Sequence, residues 1–322
     1  MYNLLEQYDI GKVYNYKKIS GGLDLAFMVV GSKGKYILKI LKNQLNTEDY
    51  EQYVLQKLKQ YGMPVSEIIS NKFGRYISQL NDIRFHLQRH INGKCCDNNT
   101  VSQELLNCSA KYLAKINIIL NDMVLPNSKV CNLEFDDSKC HEIKEKHFTA
   151  LSKLKENFVF DNEYSKILSC LEYRLDIIYN EYFKLIDGIK NLSLKNSHGD
   201  YSFRQILVKN KSIEGIIDFS RTSKVPISWE LIRSYTISSY ECKNAIIDFN
   251  KFNNYIRCYE NVSMLTKNDK LFMPNIYILQ LLSSLFGLNE YLDHRDKSFI
   301  QLFYWRTKFI KFLIENRKSF IW

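Results

Sequence analysis

The chain reads N-S-H-G-D-Y-S-F-R-Q-I-L-V from Asn196 to Val208, E-G-I-I-D-F from Glu214 to Phe219, and P-I-S-W-E-L-I-R-S from Pro226 to Ser234. Two acidic residues, Asp200 and Asp218, follow or end strand-like apolar segments, with a hairpin's length between them. Phosphoryl transfer needs such a layout. One carboxylate accepts or orients the proton of an attacking hydroxyl, and a second holds the Mg²⁺ that neutralises phosphate oxygens. Either motif by itself would be ordinary, since an H-x-D triplet is common by chance and I-I-D-F could be a strand running into a turn. Together, separated by strand, turn and strand, they point to one site.

Upstream, Tyr14 to Ile40 alternates short strands with turns: Lys17 to Ser20, a Gly21-Gly22 turn, apolar Leu25 to Val30, a Ser32-Lys33-Gly34 turn, and Tyr36 to Ile40. This predicts an antiparallel meander. Thr47 to Gly62 predicts a helix marked at both ends, with Thr47 as N-cap, Glu48 and Asp49 in the first turn, and Gly62 then Pro64 stopping it. Val54, Leu55 and Leu58 form its apolar stripe. Further strands are expected at 66–70, 75–79 and 84–91, with Asn92-Gly93 ending the unit. After Gly93 long helices are expected, over 101–120, 144–156, 164–189 and from Ile232 to the end, with 127–140 as a loop. The outline predicts an α+β class: an N-lobe over residues 1–92 with a small antiparallel sheet and one helix, then a larger, mostly helical C-lobe over 93–322.

Composition narrows the function classes. The 322 residues carry 45% apolar and 14% aromatic side chains, ample for a sizeable core. No run of eighteen or more apolar residues occurs, so no membrane helix is expected. The first sixteen residues lack the basic-then-apolar layout of a signal peptide. Eight cysteines without framework spacing, Cys95 and Cys96 adjacent, read as reduced thiols and place the chain in the cytoplasm. The net charge of +10 is spread out with no dense basic run or Arg–aromatic interleaving, so nucleic acid is not an expected partner. Cys131, Cys140, His141 and His147 lack the regular spacing of a zinc site. No Walker A motif is present.

The H-G-D motif, followed by a polar amide and then I-I-D-F, resembles the catalytic and metal loops of the aminoglycoside phosphotransferase/choline kinase superfamily, the branch of the kinase-like fold that phosphorylates small molecules. The resemblance spans most of residues 14 to 235. It implies a bilobal kinase-like fold, ATP or GTP and Mg²⁺ as cofactors, and a nucleotide and a small-molecule hydroxyl compound as partners. Lys39, in the strand Y-I-L-K-I, resembles the lysine that contacts the α- and β-phosphates. Glu51 resembles its helical glutamate partner, with Glu48 one turn earlier as the alternative. Ser20-Gly21-Gly22 resembles the phosphate-covering loop, with Leu23 where a polar or small residue is usual; glycine lets backbone approach phosphate oxygens. The run F-H-L-Q-R-H-I-N-G, from Phe85 to Gly93, resembles the hinge whose backbone pairs with adenine, so Gln88, Arg89, His90 and Ile91 would line that pocket. His86 and His90 read as hinge or surface residues.

Asp200 is the implied catalytic base and His198 a brace for its loop. The superfamily normally has Asn five residues after the aspartate as a metal ligand; here Gln205 stands there, as it does in maltokinase-like relatives. Gln keeps the amide oxygen on a side chain one methylene longer. Asp218 resembles the metal aspartate, with Ser220 where relatives often carry an acid. Glu230, in Trp229-Glu230-Leu231, resembles an acid that hydrogen-bonds the catalytic loop, and Asn117 stands where relatives often carry a helix-ending His. The implied activity is phosphorylation of a sugar, polyol or amino alcohol. Residues 241–322 carry twelve basic against eight acidic side chains, which disfavours a polycationic aminoglycoside. The alternative is a non-catalytic kinase-like protein, such as a spore-coat structural or binding protein.

Overall fold

The computed structural model describes residues 1–19, 25–41, 49–97, 99–125, 133–157 and 161–320. It begins with α1 (Tyr2–Leu5), β1 (Val13–Ile19), β2 (Leu25–Gly31), β3 (Gly34–Leu41) and α2 (Asp49–Gln60). Then come β4 (Ile68–Ile69), β5 (Ser78–Leu80), β6 (Ile83–Arg89) and β7 (Lys94–Cys95). Helices α3 (Gln103–Leu120), α4 (Asp137–Asn157), α5 (Asn162–Asn180) and α6 (Tyr182–Ile186) lead to β8 (Leu194–Ser197), β9 (Ile206–Lys209), β10 (Ser212–Ile216) and β11 (Ser223–Pro226). The rest is helical: α7 (Ile227–Ser238), α8 (Phe249–Glu260), α9 (Lys267–Leu271), α10 (Met273–Ser283), α11 (Leu288–His294) and α12 (Lys297–Glu315). An antiparallel-sheet N-terminal region and a mostly helical C-terminal region make the α+β, kinase-like fold that the sequence implies.

Two compact units emerge, and they interleave along the chain. One comprises Met1–Asp97, Tyr112–Val130 and Asn196–Lys224; the other Asn98–Lys111, Cys131–Lys195 and Val225–Trp322. The segment holding Asp200, Gln205 and Asp218 therefore packs in the same unit as Lys39 and Glu51.

In the first unit the main sheet runs β1-β2-β3-β6-β4, with β5 also on β6. Its pairs are antiparallel, and Lys39 of β3 lies opposite His86 of β6. One sheet face buries Val29, Leu38, Phe85 and Leu87 against Leu4, Leu5, Tyr8 and Ile10. Each such apolar side chain contributes about 1.5–3 kcal/mol when fully buried. Helix α2 buries Val54, Leu55 and Leu58, the stripe expected from its spacing. It ends at Gly62, φ +74°, where Gly62 N–H reaches Lys59 O and Met63 N–H reaches Leu58 O. These two bonds satisfy carbonyls that a helix end would otherwise leave unpaired. Thr47 and Glu48, the expected start of that helix, lie outside the described residues.

The second unit is built on helices. Leu154, Ile167, Leu171, Leu288 and Phe303 meet in one cluster. Helix α10 buries nearly every residue from Met273 to Leu282, as a helix apolar on all sides must. The fully buried Arg174 donates from Nη2 to the carbonyls of Leu281, Leu282 and Ser284, at the end of α10, and from Nε to His147 Nε2. A cation at a helix C-terminus meets the negative end of the helix dipole. Burial pushes the His147 pKa down to about 3, so the ring is a neutral acceptor there.

Two expectations need correction. Residues 137–140, expected in a loop, begin α4, where Asp136 Oδ1 accepts from Lys139 N–H as a helix cap. The helix expected over 164–189 is broken: α5 stops at Asn180, α6 is short, and Gly188 at φ +82° precedes a turn of 3₁₀ helix, Ile189–Asn191.

Candidate active site

The site grows from one hairpin. Strands β9 and β10 pair antiparallel from Ile206↔Ile216 to Lys209↔Ser212, with a register shift between Ile213 and Gly215, and are joined by Asn210 and Lys211, both at positive φ. A two-residue loop with both residues left-handed matches the twist of such a hairpin. Its two open ends carry the chemistry, Gln205 just before β9 and Asp218 just after β10. Ile217 N–H donates to Gln205 O at 2.9 Å, closing the hairpin beside them. The hairpin is tied to the segment after α2 by Ile216 N–H to Pro64 O at 2.7 Å and a parallel bridge between Val65 and Ile216.

The loop bearing Asp200 is anchored from behind. Asn117, buried near the end of α3, donates to Asn196 O at 3.0 Å and Ser197 Oγ at 2.8 Å. Asn196 in turn donates to Leu120 O and Met123 O, capping the end of the same helix. Gly199 stands at φ +80°, and a Cβ there would lie 2.0 Å from Arg221 O, so only glycine fits. His198 bridges the two motifs. Its Nε2 is 2.9 Å from Ile217 O, a group that can only accept, and its Nδ1 accepts from Asp200 N–H at 3.3 Å. These two roles define one neutral tautomer. The ring packs on Phe219, with centroids 4.5 Å apart.

Lys39 Nζ donates to Asp218 Oδ1 at 2.7 Å and lies 3.8 Å from Glu51 Oε2. Ser220 Oγ also donates to Asp218 Oδ1, at 2.8 Å. Asp218 has φ +64°, uncommon for a residue with a Cβ and a form of strain that clusters at functional sites. Burial works to raise the Asp218 pKa, but Lys39 and Ser220 overcome it and hold the carboxyl below its ordinary value. Glu51, 2% exposed, sits opposite: burial raises its pKa and outweighs the Lys39 ammonium, and Asp218 adds to the rise. The Phe219 backbone N–H works the other way, lowering the Glu51 pKa, but does not offset the burial. Gln205 Nε2 lies 3.4 Å from Asp200 Oδ2, a long contact between the expected metal amide and the expected base.

The structure thus brings together Lys39, Glu51 and Asp218, and separately Asp200 and Gln205. Gly21 and Gly22, with Ser20, lie outside the described residues. Gln88 and Arg89 end β6, and His90 and Ile91 follow it; Ile91 packs on Gly215, where a Cβ would come within 2.7 Å. Arg89 N–H donates to Glu67 O, His90 N–H to Lys35 O, and Ser66 Oγ donates to Arg89 O. His86 is fully buried, not a surface residue: it lies on the Lys39 face of β6, 3.0 Å from Gln88 Nε2. Glu230 is buried in α7. Among the residues not anticipated as partners, Ser220 and Asn196 matter most. The signal for Ser220 was its place two residues after Asp218.

No family model and no curated protein matches the sequence. Solved structures do match in fold. An aminoglycoside phosphotransferase from Alicyclobacillus acidocaldarius superposes with a TM-score of 0.68 at 14% identity, covering 98% of this chain and 95% of that one. A microcompartment-associated aminopropanol kinase gives 0.65 at 12% identity, with 99% and 97% covered. Spectinomycin phosphotransferase, solved with ADP and spectinomycin, gives 0.63 at 12% identity, with 99% and 96% covered. Ethanolamine and choline kinases from Plasmodium vivax and Cryptosporidium parvum also match. The chain has the fold of the aminoglycoside phosphotransferase/choline kinase-like superfamily. Among the described residues no helix is long and apolar enough to cross a membrane.

Proposed function

We propose that this chain is an ATP- and Mg²⁺-dependent phosphotransferase acting on a hydroxyl of a small molecule, with a sugar, polyol or amino alcohol as acceptor. The observation that carries the reading is Lys39 held between Asp218 at 2.7 Å and Glu51 at 3.8 Å, in the unit that also holds Asp200 and Gln205. Its fold neighbours are small-molecule kinases, one of them solved with ADP.

Lys39, kept in place by Glu51, binds the α- and β-phosphates as a compact point charge. The Asp200 carboxylate orients the acceptor hydroxyl. The hydroxyl oxygen forms a bond to the γ-phosphorus of ATP, the bond from that phosphorus to the bridging oxygen breaks, and ADP leaves. The hydroxyl proton passes to Asp200 and then to water, giving a phosphate monoester. Asp218 and Gln205 fit Mg²⁺: both offer hard oxygen donors, and Lys39 and Ser220 both donate to the same Asp218 oxygen, Oδ1. Mg²⁺ keeps several waters and needs few protein ligands. When bound it neutralises phosphate charge. The Gly21-Gly22 turn would cover the phosphates, Gln88 to Ile91 would hold the base, and residues 93–322 would bind the acceptor. Action in the cytoplasm is the location that the scattered cysteines of the sequence suggest.

A ligand that binds only the native state raises its stability, by about 2.7 kcal/mol at a hundred times Kd. The melting temperature should therefore rise with millimolar Mg-ATP. No rise with either Mg-ATP or Mg-GTP, in a folded sample, would contradict the reading.

A further inference from the structure

Asp218 opens the turn of 3₁₀ helix formed by Phe219–Arg221, yet its side chain caps none of that turn's N–H groups. An aspartate at such a position commonly gives its carboxylate to the backbone. Here side chains take it instead. Ser220 Oγ donates to Asp218 Oδ1 at 2.8 Å, and Lys39 Nζ donates to the same oxygen at 2.7 Å. No described residue donates to Oδ2, and the side chain is 34% exposed. One carboxylate oxygen is therefore held by two donors while the other is open.

The two donors differ in how firmly they are placed. Lys39 is a long side chain on β3, and its ammonium also lies 3.8 Å from Glu51 Oε2. In the nucleotide reading it must serve the α- and β-phosphates as well. Ser220 stands two residues from Asp218 on the same turn, with a short side chain that loses little rotamer freedom when fixed. Phe219, between them, is buried and packs on His198. Its carbonyl accepts from both the N–H and the Oγ1 of Thr222, which pins the turn on its buried side. Carboxylates that bind metals are commonly hydrogen-bonded by such a neighbour, which fixes their orientation.

Resting on the nucleotide and metal reading above, we propose that Ser220 is a positioning residue for the metal. By holding Asp218 Oδ1 it keeps Oδ2 open as the oxygen that takes Mg²⁺, whether or not Lys39 stays on that carboxylate.

The test is calorimetric titration of the protein with the non-hydrolysable analogue AMP-PNP, in EDTA and at a series of Mg²⁺ concentrations. The readout is the Mg²⁺ concentration that gives half of the metal-dependent gain in affinity. Ser220→Ala should raise that concentration about tenfold, the loss expected when a metal ligand loses its hydrogen-bond partner. Its affinity in EDTA should stay near that of wild type, since Lys39 is intact. Ser220→Thr, which keeps the hydroxyl, should stay near wild type in both conditions. A general structural defect would weaken binding in EDTA and in Mg²⁺ alike. An unchanged Mg²⁺ requirement in Ser220→Ala, a loss as large in EDTA as in Mg²⁺, or an equal loss in Ser220→Thr would overturn the proposal and leave the phosphotransferase reading standing. A wild-type protein that binds no AMP-PNP, or binds it with no effect of Mg²⁺, would overturn both.

Discussion

Lys39 and Asp218, 179 residues apart in sequence, meet at 2.7 Å, while Glu51 holds the far side of the same ammonium at 3.8 Å. The two carboxylates are not equivalent. Asp218, partly open and twice hydrogen-bonded, titrates below its ordinary value, whereas Glu51, fully buried, titrates above its own. One lysine thus sits between an acid suited to holding charge and one that resists it.

That asymmetry has a pH signature. A carboxyl whose folded pKa is raised contributes stability that is present below its unfolded value, near 4.5, and lost as pH rises through the folded one. Glu51→Gln removes this loss. The variant's melting temperature relative to wild type should therefore climb with pH above about 4.5, while its affinity for Mg-ATP falls because Lys39 loses a partner. Asp218 acts in the opposite sense: its contribution is present above the unfolded value near 3.8 and disappears as pH falls through the lowered folded one. A Glu51→Gln difference that is flat from pH 4 to 8 would show that Glu51 is not held above its ordinary value.

Gln205 tests the metal assignment. If its amide oxygen is a ligand, Gln205→Ala should weaken Mg²⁺-dependent activity far more than Gln205→Asn, which keeps the amide. Titrating Mg²⁺ at fixed ATP gives the comparison. Unimpaired activity in both variants would remove Gln205 from the metal site.

The tight turn before Asp200 can be tested against a matched control. Gly199 and Gly74 both have positive φ, +80° and +74°, but a Cβ at Gly74 meets nothing within 4 Å while one at Gly199 meets the Arg221 carbonyl at 2.0 Å. Gly74→Ala should cost only the left-handed strain, about 1–2 kcal/mol. Gly199→Ala should cost roughly 2 kcal/mol more, from the clash. Denaturant unfolding of the two variants measures both, and equal costs would mean the loops do not approach as described.

Much of this site was legible because its parts are local. H-G-D, I-I-D-F and the strand around Lys39 each declare themselves within a few residues, and α2 carried its apolar stripe and its Gly62 stop in the open. What stayed hidden depends on distant partners. The pairing of Asn117 with Asn196 joins residues 79 apart, and neither looks unusual alone. Helix α1 is a single turn in a polar stretch, yet it supplies Leu4 and Leu5 to the sheet's core. His86 reads as surface because histidine in a polar strand usually is; its burial follows from the alternation of Arg84, His86 and Gln88 on the face that Lys39 occupies. The start of α4 is marked by Asp136, a capping residue whose neighbours lack an apolar period.

The central claim is that Asp200 orients an acceptor hydroxyl for phosphoryl transfer. Asp200→Asn keeps the shape of the side chain and removes its charge, leaving Lys39 and Asp218 intact. Mg-ATP affinity should stay near that of wild type, while phosphorylation of an acceptor found by screening sugars, polyols and amino alcohols should fall about a hundredfold or more, as expected for loss of a positioned general base. Acceptor phosphorylation near the wild-type rate in Asp200→Asn, or a wild-type protein that binds Mg-ATP and phosphorylates none of these acceptors, would contradict the account.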